Sequence, residues 1–180
     1  ASFFVSRIDT AVDRLLDDRI RSVHDRDARS RLEDLKGKVA IANARLAYQR
    51  YLRLFSGERW KRLARRGVRV QRLLWGSTGT KNPAYSDVLY VEELIGPDTV
   101  NTVPPATLDA FRDHGKVQET LTENIAEAEH VMAALEYAGI SIDEVTAKLV
   151  EDGVQLFADA FGRLLEAVSH RCAQFAQEAR

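Results

Sequence analysis

The feature that most constrains the fold is an alternation of short apolar runs with longer amphipathic segments over the first 115 residues. The runs "SFFV", "VRVQRLLW" and "DTVNTVPP" occupy residues 2–5, 68–75 and 98–105, and apolar residues at helical spacing follow each of them. Strands that alternate with helices form βα units on a parallel sheet. The sequence therefore predicts an α/β fold with three βα units, followed by helices from about residue 116 onward.

Residues that commonly cap or end helices set the expected ends of the elements. The first strand is expected to run into a loop at Ser6 and Arg7, with Asp9 or Thr10 capping the helix that follows. Ser56 is the expected N-cap and Gly67 the expected C-cap of another short helix. Further helices are expected in the second part of 21–37 and at 38–55, 86–96, 106–115, 121–137 and 142 to the end.

Composition limits the possible partners and compartments. The chain has 180 residues, of which 45% are hydrophobic, enough for one packed core. Lys and Arg total 26 against 27 for Asp and Glu, so no overall field would gather nucleic acid or an anionic membrane. The single cysteine, Cys172, cannot form an internal disulfide, and no signal sequence or membrane span is apparent. A cytoplasmic protein that begins inside a larger fold is expected.

Small hydroxyl residues and two cations follow the first two predicted strands. The loop "GSTGTKN" carries Ser77, Lys81 and Asn82 after the second strand, while Ser2 and Arg7 belong to the first strand and its exit. Ligands of parallel α/β folds meet the carboxyl ends of the strands, where these loops converge. Arginine, lysine and free backbone N–H groups together suit a phosphate. The sequence therefore predicts a phosphate site on this rim.

Other interpretations of the same residues stay open. A Gly/Ser/Thr loop is often only a flexible turn, Arg7 could be an ordinary surface arginine, and Ser2 could merely pack. The four histidines lack ligand spacing, so no metal site is predicted. The arginine-rich segment 58–72 resembles an RNA-binding patch, but acidic stretches offset it, and a solvated helix face is the better interpretation.

Three strings resemble a known family. The segments "SFFVSRID", "GKVAIANARLAYQRYLRLF" and "LLWGSTGTKNPAYSDVLYVEELIGPDTVNTVPPATLDAF" resemble the C-terminal half of transaldolase, in its long bacterial branch. The resemblance implies the last three βα units of a TIM (β/α)8 barrel at 1–115, with C-terminal helices at 116–180 packing on the barrel. It also implies transfer of a dihydroxyacetone unit between sugar phosphates through a lysine Schiff base, in the pentose phosphate pathway and without a cofactor.

The resemblance assigns roles residue by residue. Ser2 matches a substrate-facing serine, Arg7 matches the arginine that clamps the sugar phosphate, and Lys81 falls near a second phosphate cation. That cation is commonly an arginine followed by an asparagine, as Asn82 follows here, and lysine loses the forked geometry. Fructose 6-phosphate, sedoheptulose 7-phosphate and aldose phosphates are the implied partners, together with the missing half of the barrel or a second copy of the chain.

The resemblance also implies what these residues lack. The family's Schiff-base lysine and two catalytic carboxylates lie on earlier strands, so no catalytic residue is assigned here. A nucleophilic lysine needs a lowered pKa, which a loop residue such as Lys81 is not expected to have. We therefore expect the isolated chain to lack turnover. The alternative is a non-catalytic half-barrel that binds sugar phosphate or self-associates through unpaired strand edges.

Overall fold

The computed structural model describes the backbone of residues 1–178 and the side chains of residues 1–175. Strands are interspersed with helices up to residue 114, and helices follow from there. The elements in chain order are β1 (Ser2–Phe4), α1 (Val5–Ser22), α2 (Arg26–Glu33), α3 (Val39–Leu54), α4 (Glu58–Ala64), β2 (Leu73–Gly76), α5 (Leu89–Glu92), β3 (Thr99–Asn101), α6 (Pro105–His114), α7 (Ile125–Tyr137) and α8 (Ile142–Glu178).

The three strands form one parallel sheet in the order β1-β2-β3. Phe3 lies opposite Trp75, and Trp75 lies opposite Asn101, so the strands are in register from edge to edge. The predicted α/β fold with three strands, each followed by at least one helix, is therefore confirmed. Because all three strands run the same way, the loops that leave their carboxyl ends gather at one edge of the sheet.

The two faces of the sheet differ in burial. Side chains alternate between faces along a strand, so Phe3 and Trp75 share one face while Phe4 lies on the other. Trp75 is 1% exposed and meets the Phe3 ring edge-on at 5.5 Å, whereas Phe4 is 43% exposed. The Trp75 face is covered, while the opposite face at β1 is open to solvent.

The expected loop and cap after the first strand are wrong. Helix α1 begins at Val5, directly after β1, so Ser6 and Arg7 lie in its first turn. The N-cap position is Phe4, which makes no side-chain capping bond, and Asp9 lies inside the helix with Thr10 after it. The reason is burial: Val5, Ile8, Val12 and Leu16 form one apolar stripe at helical spacing, and the stripe starts immediately after the strand.

Other boundaries differ by a few residues. Helix α4 starts after Gly57 rather than Ser56 and ends at Ala64, three residues before Gly67. Strand β2 covers only Leu73–Gly76, because the arginine-rich residues before it are exposed and find no partner strand. The helix expected at 86–96 is the single turn α5, and α7 begins at Ile125 rather than at residue 121. The helix expected from residue 142 to the end is confirmed as far as Glu178, and residues 179–180 lie outside the described part of the chain.

The chain divides into two compact units, Ala1–Ile142 and Asp143–Arg180. In the first unit, α1 and α7 both pack against α3, whose buried residues include Val39, Ala44 and Tyr48. In the second unit, α8 exposes large apolar side chains, among them Phe157 and Phe161. The sequence-based boundary near residue 115 stays a prediction. No described helix combines the length and apolar character that a bilayer crossing requires.

Candidate functional site

The exits of β1 and β2 are joined directly by hydrogen bonds. The Ser6 backbone N–H donates to the Ser77 carbonyl at 3.0 Å, and the two hydroxyl oxygens lie 2.7 Å apart. Ser77 adopts a left-handed φ of 55°, which turns the chain sharply after Gly76. The start of α1 and the Gly/Ser/Thr loop therefore form one continuous rim at the carboxyl edge of the sheet.

Of the five residues predicted to bind substrate, Arg7, Ser77, Lys81 and Asn82 lie on this rim or directly after it, whereas Ser2 lies at the opposite, amino end of β1. Ser2 is exposed on β1, Arg7 is exposed in the first turn of α1, and Lys81 is exposed in the loop. Ser77 and Asn82 are half-buried. The Arg7 guanidinium lies 4.7 Å from the centre of the Phe4 ring, a cation–π contact that holds it against the open face of the sheet.

The base of the loop is a buried polar contact. Thr78 is fully buried, and its hydroxyl donates to Asn101 Oδ1 at 2.8 Å, which links the loop to the end of β3. Gly79 follows, and a Cβ there would lie 3.0 Å from the Thr107 hydroxyl of α6. Both residues fix the loop from below, and their packing leaves the neighbouring Lys81 in solvent.

Lys81 and Asn82 open onto a cleft of about 330 Å³. Arg7 and Ser2 are not among the residues that line it, so the structure brings only two of the five predicted residues into this cleft. Both acidic and basic side chains line it. The lining residues are Asp9, Thr10, Asp13, Arg14, Asp17, Arg21, Lys81, Asn82, Tyr85 and Tyr90.

Asp9 lies at the floor of the cleft and is 1% exposed. One carboxylate oxygen accepts the Ala40 backbone N–H at 2.8 Å, and the other accepts the Tyr90 hydroxyl at 2.8 Å. Burial raises the pKa of this carboxyl to about 6, against the lowering effect of those two donors, and the charge of Asp13 adds to the rise. Asp9 therefore ties α1 to the N-terminus of α3.

Asp13 makes a parallel set of bonds one helical turn later. Its Oδ1 accepts the Gly37 backbone N–H at 3.2 Å, and its Oδ2 accepts the Tyr85 hydroxyl at 2.6 Å. Desolvation, followed by contact with these carboxylates, raises the pKa of Tyr85 and of Tyr90 well above the ordinary value. Both phenols are therefore donors, and neither is poised to act as a base at neutral pH.

Sequence reasoning missed this carboxylate–tyrosine network. The sequence pattern makes Asp9 or Thr10 a helix cap, places Asp13 on the polar face of the first helix, and gives Tyr85 and Tyr90 no role. A signal was available: residues 9 and 13 are four apart and lie close to the apolar stripe of α1, where an acidic side chain must find hydrogen-bond donors. The identity of those donors, which lie 24 to 81 residues away in sequence, could not be inferred from the pattern.

All six lysines of the chain lie among the described residues, and none is buried. Lys36 pairs with Asp17 at 2.7 Å, and Lys61 pairs with Glu58 at 2.7 Å. The pKa of Lys148 is raised by its hydrogen bond to Asp152. A Schiff-base lysine requires the opposite environment, one that favours the neutral amine. Among the residues whose side chains are described, no group of three or more His, Cys, Asp or Glu could hold a metal ion.

Comparison with known proteins identifies the family. The family model "Transaldolase/Fructose-6-phosphate aldolase" matches residues 1–168, so the chain belongs to this family. It is 47% identical to "Transaldolase" of Trichodesmium erythraeum over 95% of the chain and 46% of that protein. It is 50% identical to "Transaldolase 1" of Streptomyces avermitilis over 94% of the chain and 43% of that protein. The chain thus spans somewhat less than half the length of these relatives.

Proposed function

We propose that these residues form the phosphate-binding side of a transaldolase, which transfers a dihydroxyacetone unit between sugar phosphates through a lysine Schiff base in the pentose phosphate pathway. The observation that carries the proposal is the family match over residues 1–168. Relatives named transaldolase at 46–50% identity support the same activity. A cytoplasmic location stays a prediction from the lone cysteine.

The sheet supports a place within a (β/α)8 barrel. In such a barrel the outer face of the strands is covered by helices, and the inner face meets side chains from the other strands. Here Trp75 is buried on one face while Ser2 and Phe4 are exposed on the other. This asymmetry is what three consecutive βα units would have without the remaining strands, and it supports the barrel proposal.

We assign phosphate binding to Arg7 and Lys81, with Ser2, Ser77 and Asn82 as hydrogen-bonding neighbours. The two cations follow adjacent parallel strands, and the Ser6–Ser77 bonds join the first turn of α1, which carries Arg7, to the loop after β2. Both cations are exposed, so a phosphate can reach them. Binding the remote phosphate would position the reacting carbonyl and so lower the barrier to the chemical step.

We expect the 180 residues alone to bind sugar phosphate without turning it over. Each lysine is either in solvent or held in an ion pair, and a nucleophilic amine needs burial or a neighbouring positive charge to stay neutral. The second candidate function, a half-barrel that binds sugar phosphate without catalysis or pairs with a second copy, is favoured by the exposed Phe4 on an edge strand.

Titration of fructose 6-phosphate by calorimetry tests the phosphate assignment. Arg7→Gln and Lys81→Gln should each weaken binding about tenfold, because each removes a charge-assisted contact. Arg59→Gln is the matched control, since Arg59 is an exposed arginine on α4. Equal affinity in all four proteins would reject the assignment.

Borohydride reduction in the presence of fructose 6-phosphate tests the chemistry. If these residues are the phosphate-binding side of a transaldolase, they should form no covalent adduct alone. A transaldolase that contains the remaining strands should form one. An adduct at Lys81, located by peptide mass spectrometry, would make Lys81 a nucleophile and would overturn its assignment to phosphate.

A further inference from the structure

The turn that carries Lys81 and Asn82 is closed by its own hydrogen bonds. Asn82 Oδ1 accepts the Ala84 backbone N–H at 2.9 Å, and the Asn82 carbonyl accepts the Tyr85 backbone N–H at 3.1 Å. These bonds make residues 82–85 a compact unit. Lys81 directly precedes this unit in the chain, so the position of Lys81 is coupled to the position of the Tyr85 ring. The turn is otherwise exposed at Lys81, Pro83 and Ala84.

The Tyr85 ring is the anchor of this unit. Its hydroxyl donates to Asp13 at 2.6 Å, and the Asn82 side chain also interacts with that hydroxyl. The ring lies directly over Gly37, where a Cβ would come within 2.8 Å of Tyr85 Cζ. Gly37 has a left-handed φ of 72° and donates its N–H to the same Asp13 carboxylate. One carboxylate on α1 therefore holds both the turn and the chain segment beneath it.

From this geometry we propose that Asp13 and Tyr85, seated on Gly37, are positioning residues that hold the Lys81–Asn82 turn in place on the rim. The proposal deepens the phosphate assignment and, for its binding consequence, rests on it. Both residues line the same cleft as Lys81 and Asn82, but the Asp13 carboxylate and the Tyr85 hydroxyl are already paired within the protein, which is why we assign them positioning and not binding. They act by keeping one conformation of the turn populated, since a site that is formed only part of the time binds more weakly in proportion.

Tyr90 supplies a matched control within the same network. Its hydroxyl donates to Asp9 on α1 at 2.8 Å, so Tyr85→Phe and Tyr90→Phe each delete one phenol donor to one carboxylate of the same helix. Tyr90 belongs to α5, outside the 82–85 turn. A purely structural effect would appear in both variants, whereas loss of positioning would appear in Tyr85→Phe alone.

The binding experiment uses all 180 residues with fructose 6-phosphate as the probe. Tyr85→Phe should weaken binding about fivefold, and Tyr90→Phe should change it less than twofold. Asp13→Ala should weaken binding as much as Tyr85→Phe does. Asp13→Asn should weaken it less, because its amide oxygen can still accept a hydrogen bond from the Tyr85 hydroxyl. Affinity unchanged in Tyr85→Phe while Lys81→Gln weakens binding would overturn the positioning role and leave the phosphate assignment standing.

Amide hydrogen exchange tests, without any ligand, whether Tyr85 holds the turn in place. Tyr85→Phe should speed exchange at the Tyr85 N–H, whose acceptor is the Asn82 carbonyl, several-fold more than Tyr90→Phe does. Equal exchange at that amide in both variants would reject the positioning role. If Lys81→Gln leaves fructose 6-phosphate binding unchanged but exchange at Tyr85 responds as expected, the phosphate assignment fails and the anchoring of the turn stands.

Discussion

The rim and the carboxylate–tyrosine network lie next to each other in the first unit, yet they are built in opposite ways. On the rim, Arg7 and Lys81 are exposed. In the network, Asp9 and Asp13 are buried, and all four carboxylate oxygens accept a hydrogen bond from the protein. The contrast teaches that groups free to meet a ligand contribute little to folding, while groups fully satisfied by the protein stabilise the surface from which the others project.

Gly37→Ala, a substitution beside the carboxylate–tyrosine network, should produce the largest change in stability. Its Cβ would meet the Tyr85 ring at 2.8 Å on a backbone with φ of 72°, so strain and displacement of the ring add together. We expect the free energy of unfolding to fall by about 3 kcal/mol in urea titrations.

Gly67→Ala is the control for Gly37→Ala. Gly67 has a similar φ of 81°, but a Cβ there would meet nothing within 4 Å. Backbone strain alone should cost about 1 kcal/mol. If the two glycine variants lose equal stability, the Tyr85 ring does not depend on Gly37 and the network is less tightly packed than the distances imply.

Asp9 should make stability depend on pH. Its pKa in the folded protein, about 6, exceeds the ordinary value of 3.8, so the folded state binds this proton more tightly than the unfolded state. Its contribution to the free energy of unfolding is therefore fully present below pH 4 and is lost as pH rises to about 6, by up to about 3 kcal/mol. Urea titrations of the wild type and Asp9→Asn at pH 4, 5, 6 and 7 measure this.

The informative quantity is the stability of the wild type minus that of Asp9→Asn, because the other titrating groups cancel in the difference. That difference should decrease steadily between pH 4 and pH 6 and level off above. A difference that is flat with pH would mean that Asp9 titrates normally, and the buried network would then resemble the solvated rim in its electrostatics.

Thr78→Val tests a residue at the boundary between the rim and the network. Thr78 belongs to the rim loop by sequence but is fully buried, and its hydroxyl donates to Asn101 at 2.8 Å. We expect a loss of about 1 to 2 kcal/mol in thermal or urea unfolding, because Asn101 loses its donor. Thr102→Val, at an exposed position, should cost less; a larger loss there would show that exposure does not separate the two regions.

Substitution of the rim cations should give the smallest change in stability. Arg7 contributes an exposed contact with the Phe4 ring, and Lys81 lies in solvent. Arg7→Gln and Lys81→Gln should each alter the free energy of unfolding by less than about 0.5 kcal/mol. Urea titration checks this, and a loss above about 1 kcal/mol would make these residues part of the folding core rather than a free binding surface.

Prediction from the sequence succeeded where a local pattern decides the structure. The apolar runs around Phe3, Leu74 and Val100 gave the three strands, because period and composition separate buried strands from amphipathic helices. It failed at Ser6 and Arg7, where polar residues suggested a loop. The buried stripe of α1 that begins at Val5 overrode that local preference, and tertiary burial is invisible to a residue-by-residue pattern.

The sequence by itself determined the parallel α/β order, because hydrophobic periodicity acts over a few neighbours, and its long characteristic strings indicated the family. Only the tertiary structure decided that Asp9 and Asp13 are buried acceptors and that Tyr85 and Tyr90 are their donors. The physical reason is distance along the chain. A buried carboxylate must find donors, but which donors it finds depends on how the helices and loops pack, and that packing is a property of the whole first unit.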